Sequence, residues 1–99
     1  MGIPLFLKVA SIESIEGYTV HLKFNNGEIK AIDFRQFFSR ERKFEKILLE
    51  DFEKFSSMEV ANGTLTWLCL GIAIKDSKGR EGFYAFNIDP RRLYEYEAP

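Results

Sequence analysis

Tyr18-Thr19-Val20-His21-Leu22-Lys23-Phe24-Asn25-Asn26-Gly27-Glu28-Ile29-Lys30-Ala31-Ile32-Asp33 is the stretch that decides the fold. Tyr18, Val20, Leu22 and Phe24 alternate with Thr19, His21 and Lys23, the period of a strand with one buried face. Asn26-Gly27 follows, a pair suited to the positive φ angles of a two-residue type I′ turn. The chain then returns as a second strand. A two-residue turn sets Asn25 opposite Glu28, Phe24 opposite Ile29 and Leu22 opposite Ala31. An earlier strand, about Leu5 to Glu13, is expected alongside, with Glu16-Gly17 in the connecting turn.

Working outward, the middle of the chain changes period. Asp33 can cap a short helix carrying Phe34, Phe37 and Phe38, and Ser39 can cap the next, with Phe44, Ile47 and Leu48 on one stripe. Asp51 can open a further turn bearing Phe52 and Phe55. Between Glu41 and Phe55 this predicts one broken helix or two short ones. Strands resume at Met58–Ala61 and Thr64–Trp67 around a second type I′ pair, Asn62-Gly63, which sets Val60 opposite Leu65 and Met58 opposite Trp67. Leu68–Lys75 and Glu81–Asn87 then flank Asp76-Ser77-Lys78-Gly79, a type I turn closed by a glycine bulge. Asp89-Pro90 reads as cap and first residue of a terminal helix over Arg91–Tyr94. The expected order is β-β-β-α-α-β-β-β-β-α. Segregated strands and helices make this an α+β fold: a single domain over residues 1–99, an antiparallel sheet built from hairpins with two or three short helices on one face.

Composition narrows the function classes. The chain has 99 residues, 14 basic and 15 acidic, for a net charge of −1. That balance lacks the overall positive charge of a protein that seeks polyanions. Ten Phe, four Tyr and one Trp supply a core, which argues against disorder. The single cysteine, Cys69, cannot form an internal disulfide, and one Cys with one His cannot make a structural zinc site. Met1 to Leu7 is apolar but meets Lys8 too soon for a signal-peptide core, and no run is long enough to span a bilayer. A cytoplasmic protein with no cofactor and no membrane association is the expectation.

The order of motifs also resembles a known family. Val9 to Phe38 gives a strand, the Gly17-Tyr18 approach, the Phe24-Asn25-Asn26-Gly27-Glu28 hairpin and a strand closed by Asp33. Phe52 to Phe55 leads into Val60-Ala61-Asn62-Gly63-Thr64-Leu65-Thr66-Trp67, and later comes Ile88-Asp89-Pro90-Arg91-Arg92-Leu93-Tyr94-Glu95. This pattern resembles the bacterial domain of unknown function 2442. One departure stands out: Leu68 to Asn87 lie between the tryptophan and the Asp-Pro tail, as an extra hairpin. The resemblance implies no activity and no catalytic residues. It does imply a partner-binding or regulatory role, since members stand beside another small protein in arrangements like toxin–antitoxin pairs, or are fused to a helix-turn-helix domain.

The residues that could carry chemistry lack their companions. His21 sits among Thr19 and Lys23 on a polar strand face, and the register above puts Asp33 opposite Val20, on the other face. Cys69, between Leu68 and Leu70, reads as a small buried hydrophobe with no local cation to lower its pKa. Glu50, Asp51 and Glu53, like Glu95 and Glu97, read as solvated surface acids without the spacing of a calcium loop. Gly79-Arg80-Glu81-Gly82 is a turn and not a phosphate loop, because no helix follows it. No enzyme is expected.

Two kinds of surface remain. Lys30, Arg35, Arg40, Arg42, Lys43 and Lys46 stand against Asp33, Glu41 and Glu45, six charges against three, a local surplus of +3. These six would form a nucleic-acid surface. Lys78 to Phe86 superficially matches an aromatic RNA-binding strand, but Glu81 stands where a basic residue should precede the glycine. The stronger expectation is a protein–protein surface. Phe37 and Phe38 are adjacent and cannot point the same way, so one is expected at the surface near Arg40 and Arg42. The stretch Leu68–Ile74 is apolar on both faces, which requires cover on both or an edge paired with another chain. Phe37, Phe38, Arg40, Arg42, Phe83 and Tyr84 are the expected contact residues, for a small partner protein or a second copy in a homodimer.

Overall fold

The computed structural model describes residues 6–75 and 77–97. The elements run β1 (Val9–Glu16), β2 (Thr19–Phe24), β3 (Ile29–Asp33), α1 (Phe34–Phe37), α2 (Lys43–Glu50), α3 (Phe52–Ser56), β4 (Glu59–Ala61), β5 (Thr64–Lys75), β6 (Glu81–Asn87) and α4 (Pro90–Tyr94). The α+β class and the hairpin construction are borne out. The strands divide into two antiparallel sheets of three, β1-β2-β3 and β4-β5-β6. Thr64–Trp67 and Leu68–Lys75, expected as separate strands, form one continuous β5. Leu5 and Asp76, which belonged to the expected first strand and last hairpin turn, lie outside the described residues.

The first hairpin corrects the expected register by one residue. Val20 faces Ile32, His21 faces Ala31, and Leu22 faces Lys30. The reason is the loop. Only Gly27 in it has positive φ, at 90°, while Phe24 N–H donates to Glu28 O (2.8 Å) and Gly27 N–H to Phe24 O (2.9 Å). That is a three-residue loop with a glycine bulge in place of the two-residue type I′ turn. A slip of one exchanges faces, so Ile29 and Ala31 are exposed and Ile32 is buried. It also brings Asp33 opposite Thr19, onto the side of the sheet that carries His21. The first turn is shifted as well: Glu16 faces Thr19, and Gly17 (φ 60°) with Tyr18 makes the bend. At Asn62-Gly63 both φ angles are positive, 52° and 78°, and Val60 faces Leu65 as expected of a type I′ turn.

Helix caps follow the sequence with one exception. Asp33, Asp51 and Asp89 each accept a bond from a backbone N–H in the first turn of α1, α3 and α4. Ser39 does not cap α2. Its hydroxyl accepts from Glu41 N–H, and the helix begins at Lys43 with no side-chain cap. The buried carboxylate of Glu45 instead reaches back to accept from Ser39 N–H at 2.9 Å.

One face of each sheet meets the helices in a shared core. Val20, Leu22, Phe24 and Ile32 come from the first sheet and Leu65 and Trp67 from the second, with Phe34, Phe38, Leu48, Phe55 and Leu93 from the helices. The Phe34 ring packs edge-on against Phe37, Phe38, Phe55 and Trp67. The sheets are also joined through backbone, since Val9 N–H donates to Gly63 O at 2.7 Å.

Candidate interaction surface

The β5–β6 hairpin departs from this packing. Its base is core: Trp67 faces Phe86, whose ring lies 5.5 Å from the Trp67 ring and 5.5 Å from Phe44 on α2. Gly71 then faces Ala85, so Leu68, Cys69 and Leu70 have no counterpart on β6. This three-residue bulge bends β5 without ending it, which is why one strand stands where two were expected. Leu70 turns into the core, while Leu68 and Cys69 face solvent. The expectation of a buried Cys69 is thereby corrected: its sulfur lies 3.7 Å from the Ser57 hydroxyl.

Beyond the bulge the hairpin is a two-stranded ribbon, and no described residue from Gly71 to Asn87 is buried. Ile72 faces Tyr84, which puts Ile72, Ile74 and Tyr84 on the face that carries Phe86. Phe83 lies on the opposite face, beside Ala73. Leu68, Ile72, Ile74, Phe83 and Tyr84 are 57%, 54%, 51%, 59% and 63% exposed. Five large apolar side chains, each more than half in water, on one hairpin exceed the scattered exposure normal for a surface. The two strands of the ribbon fit closely at Gly71. Gly71 leaves room for Phe83, whose ring comes so close that a Cβ at 71 would lie 2.5 Å from it and 2.4 Å from the Tyr84 carbonyl. Phe83, Tyr84, Leu68 and Thr66 border a hollow of about 430 Å³.

Of the expected contact residues, only Phe83 and Tyr84 lie on this ribbon. Phe38 is a core residue, 5% exposed, and Phe37 is half-buried against Phe34 and Tyr96 with Arg92 over its ring. The expectation that one of the two stands free is corrected: α1 ends at Phe37, and the extended Phe38 turns inward while Phe37 is roofed by the C-terminal tail. Arg40 and Arg42 are exposed, each 3.7 Å from a carboxylate, Glu50 and Glu45 respectively.

Four of the six basic residues are engaged with rings or acids of the chain itself. The Lys30 ammonium bonds to the Tyr94 carbonyl and lies over the Tyr94 ring. Arg35 lies over the ring of Tyr18, 5.0 Å from its centroid, and that tyrosine is anchored through its hydroxyl to the Leu48 and Leu49 carbonyls. Arg35, Arg40, Glu41 and Ser39 border an open cleft of about 630 Å³ that mixes both signs of charge. Lys43 and Lys46 are exposed on α2.

His21 has a partner that sequence reading missed, the Ser14 hydroxyl, 3.0 Å from its Nδ1 across β1–β2. The signal was positional only, and no carboxylate is bonded to the pair among the described residues. Glu50, Asp51 and Glu53 gather no metal-ligand cluster among the described residues; Asp51 caps α3 and pairs with Lys54. No helix among the described residues is long and apolar enough to cross a membrane.

A family model described as "Protein of unknown function (DUF2442)" matches residues 9–77, more than two thirds of the chain. The match therefore takes in the first sheet, the three central helices and β4–β5, and stops in the turn before β6. No curated protein and no solved structure shows significant similarity to the chain.

Proposed function

The chain belongs to the DUF2442 family, whose description carries no activity, and on that premise we propose that it is a non-enzymatic interaction module that docks on another protein through the β5–β6 ribbon. The observation that carries this reading is the set of Leu68, Ile72, Ile74, Phe83 and Tyr84, each more than half exposed on one hairpin. Exposed aromatic and branched side chains on a rigid element are what protein interfaces are built from. A role in neutralising a small partner, like that of an antitoxin, rests on the family resemblance alone. The nucleic-acid alternative draws on Lys30, Arg35, Arg40, Arg42, Lys43 and Lys46, four of which are engaged with rings or acids of the chain itself.

The test compares wild type with the double variant Phe83→Lys, Tyr84→Lys in affinity capture from cell extract, with an untagged copy of the chain included. Protein retained by wild type in high salt and lost from the variant supports the reading. Eluates that do not differ between the two overturn it. Retained nucleic acid that washes off steeply with salt overturns it in favour of the basic residues.

A further inference from the structure

Resting on the ribbon as docking surface, we infer that its occupant is a second copy of this chain, paired antiparallel along β6 about a two-fold axis at Tyr84. Among the described residues β6 is the outer strand of its sheet, with β5 on one side and no strand on the other. Natural edge strands are protected by lysine, proline, bulges or brevity. Glu81-Gly82-Phe83-Tyr84-Ala85-Phe86-Asn87 has seven residues, no lysine and no proline, and its one charge is at the end. The irregularity of the hairpin lies wholly on β5, so β6 presents a regular row of backbone donors and acceptors.

Self-pairing over the whole strand places the axis at its midpoint, Tyr84. Gly82 of one copy then lies beside Phe86 of the other, Phe83 beside Ala85, and Glu81 beside Asn87. Phe83 and Phe86 each meet a small residue, the two Tyr84 rings meet across the axis, and no like charges are opposed. The antiparallel sense also sets the tip of one ribbon beside the base of the other. Ile72, Ile74 and Tyr84 overhang on the face where Phe86 packs against Phe44. In the dimer that overhang runs alongside the other copy's Phe44–Phe86 flank, which gives it cover.

The area is of the right order. Full burial of a Phe or Tyr removes roughly 150–250 Å², so five large side chains more than half exposed offer on the order of 500 Å² per copy. For two copies with their strand edges that sets a ceiling near the ~1,000 Å² of a specific interface. The contact is isologous and closes at two copies, leaving a six-stranded sheet in the order β4-β5-β6-β6-β5-β4.

Sedimentation and light scattering across micromolar to near-millimolar concentrations test this directly. Wild type is expected at twice the monomer mass, and Tyr84→Lys, which sets two ammonium groups on the axis, at least ten-fold weaker in self-association. A second variant removes dependence on the lysine variant's folding. Tyr84→Cys in a Cys69→Ser background, oxidised with diamide, is expected to cross-link as a symmetric disulfide, because residues paired across antiparallel strands lie about 4.5–5.5 Å apart at Cα. Ser77→Cys at the ribbon tip, far from its mate, is expected not to. A wild-type mass that stays monomeric at every concentration, or cross-linking at 77 and not at 84, overturns self-pairing. If the chain is monomeric yet the lysine variant loses another captured protein, self-pairing falls and the ribbon reading stands. If nothing distinguishes the variants in capture either, both fall.

Discussion

The indole Nε1 of Trp67 donates a 2.9 Å hydrogen bond to the backbone carbonyl of Phe55. It ties β5 to the last turn of α3 at the centre of the aromatic core, where Trp67 also meets Phe34, Phe38, Phe55 and Phe86. Trp67→Phe removes both the bond and part of the ring volume. The expected loss is about 2–3 kcal/mol in unfolding free energy, and Trp67→Ala about 3–5 kcal/mol. Denaturant titration followed by circular dichroism measures both.

Gly71 is required by space and not by its backbone angles. A Cβ there would lie 2.4 Å from the Tyr84 carbonyl and 2.5 Å from the Phe83 ring. Gly71→Ala is expected to destabilise by about 1–3 kcal/mol, as overpacking does. The same substitution with Phe83→Ala removes one clash and should recover part of the loss. Equal losses in the two variants would mean that the backbone contact alone sets the cost.

Glu45, in the first turn of α2, ties that helix to the segment before it. Its Oε1 accepts from Ser39 N–H at 2.9 Å while Oε2 stands 3.7 Å from Arg42 Nε. Glu45→Ala is expected to cost about 1–2 kcal/mol, leaving the Ser39 N–H without its acceptor. Glu45→Gln keeps an acceptor oxygen and should recover much of that stability. Thermal melts of the three proteins check the order.

The tail is clasped to the first hairpin by Tyr94, whose hydroxyl donates to the Glu28 carboxylate; Asn26 donates to the same carboxylate at 3.3 Å. The Tyr94 bond is the main reason that Glu28 ionises below its ordinary range, and the same bond raises the Tyr94 phenol. The two signs act at opposite ends of the pH scale. Glu28 contributes stability present above its unfolded pKa and lost as pH falls through the folded one. Tyr94 contributes stability present below its unfolded pKa and lost as pH rises through the folded one. Tyr94→Phe is expected to shift Glu28 upward, measured by carboxyl-carbon NMR titration, and to flatten both ends of the stability profile. A Glu28 titration unchanged by the substitution would contradict the clasp.

Much of the fold was legible wherever a local rule had no competitor. Asp33, Asp51 and Asp89 act as helix caps because an aspartate before an amphipathic run has one favourable use. Asn62-Gly63 forms the expected turn because both residues tolerate positive φ. Asn25-Asn26-Gly27 offered two loop lengths with the same residues. The three-residue loop prevails in a structure where Ile32 is buried opposite Val20 and Lys30, opposite Leu22, reaches the tail carbonyl of Tyr94.

The exposed apolar ribbon was half legible. Apolar residues on both faces of Leu68–Ile74 already signalled missing cover, and Phe83 and Tyr84 were identified with it. The burial of Phe37 and Phe38 was not legible, because their cover comes from Tyr96 and Trp67, which are distant in the chain.

By itself, then, the sequence determined the α+β class, the hairpins and the aspartate caps, since each depends on residues within one turn or one strand pair. Tertiary structure alone decided that β5 runs through a three-residue bulge, that Ile72 and Ile74 share a face with Tyr84, and that Phe38 is core while Leu68 is not. Those outcomes depend on which distant surfaces meet, and burial is settled by the neighbour that arrives and not by the side chain that waits for it.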